Sequence, residues 1–504
     1  MKTLFPISAG SALLLLASCN GQKANPAKKS KSLPNIIYIL ADDMGYGDIE
    51  ALNPESKIPT PTLDYLANTG ITFTDAHTNS AVSTPTRYGI LTGRYAFRSR
   101  LKNGVLVGHD PSLIEKGRET VASLLHKNGY QTACIGKWHL GLDWARRDTT
   151  LPLYSGSAWD IQDTDNIDYT ASVHGGPSDH GFDYSYIIPA SLDIAPYVYI
   201  ENGQVNSPVN RHTPDWRDHM ARGIWYRHGD IADNFEHATC LQHLTQQATN
   251  YIKQASEETK PFFLYFPLTA PHTPWLPSAE FEGKSGAGVY GDFVCMVDDV
   301  VRQIRETLER TGQLENTILI FTSDNGSHWL PSDIDQFGHR ANAHFSGMKS
   351  DIWEGGHHVP FIVSWPTQIK EGKKCDEIIC TTDLMATCAE MTNQHLADDA
   401  GEDSFSFWKV LTGEAYTSPL REATIHHSIN GLFALRQGDW VWLDAKGSGG
   451  WTLPENKAVN MAAGQLYNLK EDLIQQNNLV ETYPDVVRSM QQLLDKYIQT
   501  GRSR

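Results

Sequence analysis

The sequence predicts an α/β fold: a large, mostly parallel sheet sandwiched by helices, then a small C-terminal α+β domain with an antiparallel sheet. Three observations predict it. Uniformly apolar runs such as NIIYIL (35–40) and PFFLYF (261–266) fit strands buried on both faces of a parallel sheet. Helical stretches alternate with such runs, as parallel connections require. After about residue 400 the texture changes to short strand-like segments, LFALRQGDWVWLDA and QLYNLKED, followed by an amphipathic helix over Pro484 to Ile498.

The elements follow in order. Lys2 and the apolar run Ile7 to Ala17 read as an export signal over 1–18, the run being too short to span a bilayer. Leu16-Ala17-Ser18-Cys19 resembles the lipobox of bacterial lipoproteins, which implies cleavage before Cys19 and a lipid on its sulfur. Residues 19–32 are a polar, Lys-rich tether. The expected location is exported and lipid-anchored, in the periplasm or on the outer cell surface. The main domain is expected over 33–400 and the smaller one over 401–504. Thr60 to Asn68 reads as a helix closed by Gly70, and ITFTDAH as a strand. Glu119 to Lys127 is helical and leads into QTACIGK. Val297, Val300, Val301, Ile304 and Leu308 mark one helix face before Gly312, and TILIFTS follows as a strand. Ala145 to Pro214, rich in Asp, Ser, Gly and Tyr, reads as a long insertion near a functional site.

Net charge is -17 over 504 residues, which argues against general nucleic-acid binding. Anionic substrates stay open, because local positive charge in a cleft can override the total. The cysteines beyond Cys19 show no metal-ligand spacing, though Cys375 and Cys380 are close enough in sequence for a bridge.

Four strands end in polar clusters: Asp42-Asp43, Lys137-Trp138-His139, Pro271-His272 and Asp324-Asn325. Ligands of open α/β sheets bind at the carboxyl ends of strands. Asp42, Asp43, Asp324 and Asn325 form an all-oxygen set suited to a hard divalent ion such as Ca²⁺ or Mg²⁺. Either cluster alone would also fit a turn. Lys137, His139, His272 and Lys349 can bind a tetrahedral anion and pass protons. Ser83, ahead of a helix with Pro85 in its first turn, reads locally as a helix cap.

The run Ser83-Thr84-Pro85-Thr86-Arg87, with YGILTGR after it, resembles the maturation motif of the type I sulfatases. ADDMGYGD, GKWHLG, APHTP, SDNG and SGMKSDIWEGGHHVPFI fall in that family's order, so the resemblance covers most of the chain. It implies that Ser83 is oxidised to formylglycine by a radical-type maturase acting before folding. One oxygen of the hydrated aldehyde, held at one Ca²⁺ by Asp42, Asp43, Asp324 and Asn325, would attack sulfur. Lys137, Lys349 and His272 would hold the sulfate oxygens, and His272, with Lys349, would protonate the leaving sugar oxygen. His139 would take the proton from the second hydroxyl as sulfate leaves, and Arg87 would orient the diol. An unmodified serine has no second hydroxyl with which to expel sulfate. Two positions depart from many relatives, which carry arginine at Ser346 and at His358; the first bears on contacts near substrate, the second on a structural ion pair.

The implied substrate is a sulfated carbohydrate. Ser178-Asp179-His180-Gly181-Phe182-Asp183, with SLDIAPYVYIENGQ after it, resembles members that remove 6-O-sulfate from galactose or N-acetylgalactosamine, with Asp179 and His180 expected at the sugar. A carboxylate beside an imidazole can read a hydroxyl as donor and acceptor. The alternatives are another regiospecificity (4-O-, 3-O- or 2-O-sulfate), a phosphoryl-transfer enzyme of the alkaline phosphatase superfamily using Ser83 directly, or a silent glycan-binding lipoprotein.

Overall fold

The computed structural model describes Met1 and residues 33–161, 166–217 and 221–504. The export signal, Cys19 and the tether lie outside the described residues. Leu33–Arg504 form one compact unit.

Its centre is a ten-stranded sheet. In spatial order the strands are Lys373–Cys375, Ile71–Phe73, Phe361–Ser364, Thr317–Ser323, Asn35–Ala41, Phe262–Pro267, Gln131–Lys137, Tyr184–Ile188, Ile200–Glu201 and Gln204–Val205. The five strands from Thr317–Ser323 to Tyr184–Ile188 are parallel. The outer pairings are antiparallel, except that Lys373–Cys375 runs parallel to Ile71–Phe73. The continuous apolar runs are the central strands: every residue of Asn35–Ala41, Phe262–Pro267 and Thr317–Ser323 is buried. Ile37 sits in register between Leu264 and Leu319. Helices Pro61–Thr69 and Cys240–Ala255 pack on Gly288–Arg310, and Ser83–Thr92 and Val121–Lys127 pack on Leu384–Met391.

One region departs from the sequence reading. The stretch read as an insertion supplies the fifth parallel strand, Tyr184–Ile188, and both strands of the far edge. Its tyrosines and serine mask the apolar signal, yet Ser185, Tyr186, Ile187 and Ile188 are all buried.

The C-terminal sheet is antiparallel, in the order Thr424–His427, Phe433–Gln437, Trp440–Leu443, Gln465–Asn468. Alternation along its strands serves two faces. Leu435 and Trp442 meet Met490, Leu494 and Tyr497 of the helix Pro484–Thr500. Ala434, Val441 and Leu443 pack with Ile352, three residues beyond Lys349. Cys375 and Cys380 carry free thiols.

Strand ends are built for close approach. Gly136 lies at φ +129°, and a Cβ there would stand 1.9 Å from the Pro267 carbonyl oxygen on the neighbouring strand. Gly136→Ala is expected to destabilise the fold by about 2 kcal/mol or more and to displace Lys137; the chemical-denaturation midpoint measures it.

Buried imidazoles make stability pH-dependent. His237 and His427 are buried, and burial pushes each from 6.5 down to about 4. An unfolded chain protonates them near 6.5, so it binds more protons between those values and stability falls as pH drops through that window. The denaturation midpoint should decline steadily from pH 7 toward pH 4.5, by about 1.4 kcal/mol per histidine per unit of pKa difference. A profile flat from pH 7 to pH 5 would contradict this.

Candidate active site

The parallel strands bring the polar clusters to one edge. Asp42 and Asp43 follow Asn35–Ala41, Asp324 and Asn325 follow Thr317–Ser323, and Lys137 closes Gln131–Lys137. Backbone bonds lock the strand ends together: Asp42 N–H donates to Ala270 O at 3.0 Å and Asp324 N–H to Ala41 O at 3.1 Å. The chain then turns sharply. Asp43 (φ 67°) and His139 (φ 56°) are both left-handed, a conformation that costs a residue with a Cβ and collects at functional sites.

Three buried carboxylates face three cations. Lys137 Nζ donates to Asp42 Oδ2 at 2.7 Å, and Lys349 Nζ to Asp43 Oδ2 at 2.7 Å. Arg87 grips Asp324 Oδ2 through Nε (3.1 Å) and an Nη (2.7 Å), while its other Nη donates to Lys137 O at 2.9 Å. Burial opposes ionisation of Asp42, but Lys137, His272 and Arg87 outweigh it and lower its pKa. Burial is likewise outweighed at Asp43, by Lys349 and His272.

Ser83 is the first residue of the helix Ser83–Thr92, and Val82 is the cap. This corrects the local reading of Ser83 as a cap. The serine does sit at a helix N-terminus, with Oγ 3.4 Å from Asp42 Oδ1. Its side chain faces the cluster.

The two histidines are held through opposite ring nitrogens. His139 Nε2 meets Leu106 O at 2.7 Å, which places the proton there; Nδ1 is buried without a partner, a free lone pair. Burial, then Lys137 and Arg87, push its pKa well below 6.5. His272 Nδ1 is held by Thr273 O at 2.6 Å, and its Nε2 is 3.7 Å from Asp43 Oδ2.

The donor set fits a hard cation. Asp42, Asp43, Asp324 and Asn325 are all oxygen donors, and Asn325 Oδ1 is buried with no hydrogen-bond partner. Its amide Nδ2 is already committed to Asp43 Oδ1 at 2.7 Å. A buried lone-pair oxygen beside carboxylates is what a divalent ion would satisfy.

Ser83, Asp43, His139, His272 and Lys349 line a cavity of about 490 Å³. Asp193, Arg227, Trp159, Trp225 and Trp451 line the same cavity, with Asp193 Oδ1 3.8 Å from His272 Nδ1. Arg227 Nη1 donates to Asp193 Oδ2 at 2.6 Å, and Ser191 Oγ donates to Asp193 Oδ1. The guanidinium lies over Trp225 (4.8 Å) and Trp159 (5.2 Å). Burial disfavours the Asp193 charge, but His272 and Arg227 outweigh it and lower its pKa.

Asp179 and His180 are not at this cavity. They lie on the turn Pro177–His180 and line a separate depression with Arg100, Ser112 and Asp143. Asp179 is spent on its own loop, accepting from Gly175 N–H at 2.6 Å. His180 is buried, stacked on Trp138 at 6.3 Å. Adjacency in sequence does not bring either side chain to the strand-end cavity. The Asp193–Arg227 pair went unread because it closes over 34 residues; Asp193 within SLDIAPYVY was the available signal. Of the aromatics near the site, Trp329 is core, packed on Tyr290 and His339. Ser346 Oγ donates to Ile474 O at 2.6 Å, and His358 Nδ1 pairs with Glu354 at 2.9 Å.

Residues 34–395 match the sulfatase family model. An N-acetylgalactosamine-6-O-sulfatase of Bacteroides thetaiotaomicron is 33% identical over 98% of both chains. The mouse N-acetylgalactosamine-6-sulfatase is 28% identical over 87% of this chain and 77% of its own. A solved structure from work on glycosaminoglycan metabolism by Bacteroides thetaiotaomicron superposes with a TM-score of 0.79 at 30% identity, covering 92% of this chain and 99% of that one. With the strand-end carboxylates, their paired cations and Ser83 converging as described, the chain belongs to the sulfatase family and is a sulfuric ester hydrolase.

Proposed function

We propose that this sulfatase removes the 6-O-sulfate of galactose or N-acetylgalactosamine units in a sulfated glycan. The observation that carries the reading is that one cavity is lined both by groups suited to sulfate chemistry and by Asp193, Arg227 and three tryptophans. Tryptophan faces suit the apolar face of a sugar, and a carboxylate–guanidinium pair suits its hydroxyls. The two N-acetylgalactosamine-6-sulfatase relatives support the position of the ester.

The reading includes conversion of Ser83 to formylglycine by a maturase and one Ca²⁺ held by Asp42, Asp43, Asp324 and Asn325. Such an aldehyde, once hydrated, would supply the two hydroxyls that sulfate transfer and release require, and the cation would supply positive charge at the sulfate. Around them, Lys349 and Lys137 stabilise negative charge gathering on the sulfate oxygens. His272, its Nδ1 held by Thr273 O, presents Nε2 to protonate the leaving sugar oxygen. His139, with Nδ1 free, accepts the proton from the second hydroxyl. Arg87, clamped on Asp324, orients the nucleophile's oxygens. Export with a lipid on Cys19 completes the proposal and would place the enzyme where polymeric glycans are met.

Four measurements test it. Peptide mass spectrometry across Ser83 of active protein should show the loss of two hydrogens and a carbonyl-reactive product. Matured protein offered 6-O-, 4-O-, 3-O- and 2-O-sulfated monosaccharides should act on the 6-O esters of galactose or N-acetylgalactosamine; turnover of another ester in their place overturns the reading. His139→Ala should lower kcat about 10²–10⁴-fold and accumulate protein heavier by one SO₃ group, since attack survives and release does not. Asp193→Ala should cut kcat/KM for the sulfated sugar by about 10²-fold or more, because it leaves sugar hydroxyls and Arg227 unpaired.

A further inference from the structure

One cavity-lining imidazole has no part in the sulfate chemistry. His328 follows the run Asp324-Asn325-Gly326-Ser327 and is half-buried at the cavity that Ser83, His272 and Lys349 also line. Its sequence neighbours are committed elsewhere: Ser327 N–H donates to Asn342 Oδ1 at 2.8 Å, and Trp329 Nε1 donates to His339 O at 2.9 Å. His328 itself bonds only through its backbone oxygen; among the described residues, neither of its ring nitrogens has a hydrogen-bond partner.

The residue is nonetheless held in place. Arg222 Nη2 donates to His328 O at 2.6 Å and to Asp333 Oδ2 at 2.9 Å, and its guanidinium lies 5.0 Å over the Trp275 ring. Burial, then Arg222 and Lys349, push the His328 pKa down to about 3, so the ring is neutral and offers one N–H and one lone pair.

Trp451 backs that ring from the loop between Trp440–Leu443 and Gln465–Asn468. The two rings meet edge to face at 5.0 Å. Trp451 is 45% exposed, yet its backbone is fixed. Its N–H donates to Ser350 Oγ at 2.9 Å, and Thr452 N–H and Ser448 Oγ donate to Asp351 Oδ1 at 3.2 and 2.8 Å. Glycine permits this close approach: a Cβ at Gly450 would stand 2.4 Å from Ser350 O. A large exposed ring on a rigid turn, beside an imidazole with both nitrogens free, is a preorganised surface for a ligand with an apolar face and hydroxyls.

We propose that His328 and Trp451 together read the sulfated sugar ring itself, Trp451 covering an apolar face and the His328 imidazole hydrogen-bonding one ring hydroxyl. This rests on the cavity being a sugar-sulfate site, though not on which hydroxyl carries the ester. Both residues hang from the segments around Lys349: Lys349 N–H donates to Ser327 O at 3.2 Å, and Ser350 holds Trp451. That attachment assigns them to the sulfated unit rather than to the next sugar along a chain. Arg222 is a positioning residue for His328.

The test compares matured full-length protein on galactose 6-sulfate and on its 2-, 3- and 4-deoxy analogues. His328→Ala should lower kcat/KM for galactose 6-sulfate about 10–10²-fold with the guanidinium midpoint near that of the wild type. His328→Gln, which keeps a donor and an acceptor, should recover part of the loss. The wild type should lose about tenfold or more on one deoxy analogue, and His328→Ala should lose nothing further on that analogue. Trp451→Ala should raise KM about tenfold and leave kcat within about twofold. If the matured wild type turns over a different monosaccharide sulfate, the 6-O reading falls, and the same comparison on that ester and its deoxy analogues decides this proposal separately. Deoxy penalties equal in the wild type and in His328→Ala overturn it. So does a His328→Ala loss confined to oligosaccharides, or a kcat/KM within about twofold of the wild type on the monosaccharide.

Discussion

Burying Asp42, Asp43 and Asp324 together is the constraint on which this structure turns. Three carboxylates cannot share a space closed to water unless positive charge stands among them. Arg87, Lys137 and Lys349 supply that charge, each at 2.7 Å from a carboxylate oxygen. Each comes from a different segment: the helix after Ser83, the end of a central strand, and a loop beyond residue 340. The sheet register must therefore be right at three strand ends at once. Losing one partner would strand a buried charge at a cost of about 3–5 kcal/mol, a large part of a domain's net stability. The groups that suit a sulfate oxygen or a divalent ion also hold the fold closed.

What was legible in the sequence follows from physics that acts locally. Central strands buried on both faces announce themselves as apolar runs, and residues directly after them land at the sheet edge whatever the connections do. Hence Asp42, Asp43, Lys137, His139, His272, Asp324 and Asn325 could be grouped from sequence, and the structure brings them together with Ser83, Arg87 and Lys349. Tyr184–Ile188 was hidden because its outer position lets tyrosine and serine do the work of aliphatic residues. Specificity residues were harder still. Asp193 and Arg227 meet only after two edge strands fold back, whereas the adjacent Asp179 and His180 are occupied by their own turn and by Trp138. A pair read from adjacency assumes that both side chains leave the backbone toward the same space, and a tight turn breaks that assumption.

The composition change near residue 400 marks a change of sheet, and the site is built across it. Ala81 N–H donates to His427 O at 3.0 Å, Ser350 N–H to Ala81 O at 2.8 Å, and Ile429 N–H to Ser350 O at 3.0 Å. These bonds tie the segment before Ser83, the segment after Lys349 and the first C-terminal strand into one junction. Ile352 N–H adds a bond to Ser448 O at 2.8 Å. Ile429 and Trp451, both beyond the boundary, reach the cavity wall. The C-terminal sheet thus acts as a clamp on the Ser83 and Lys349 segments. Backbone bonds of this kind fix a loop's path without constraining its side chains, so the serine and lysine segments can be held rigid while their tips stay free for chemistry.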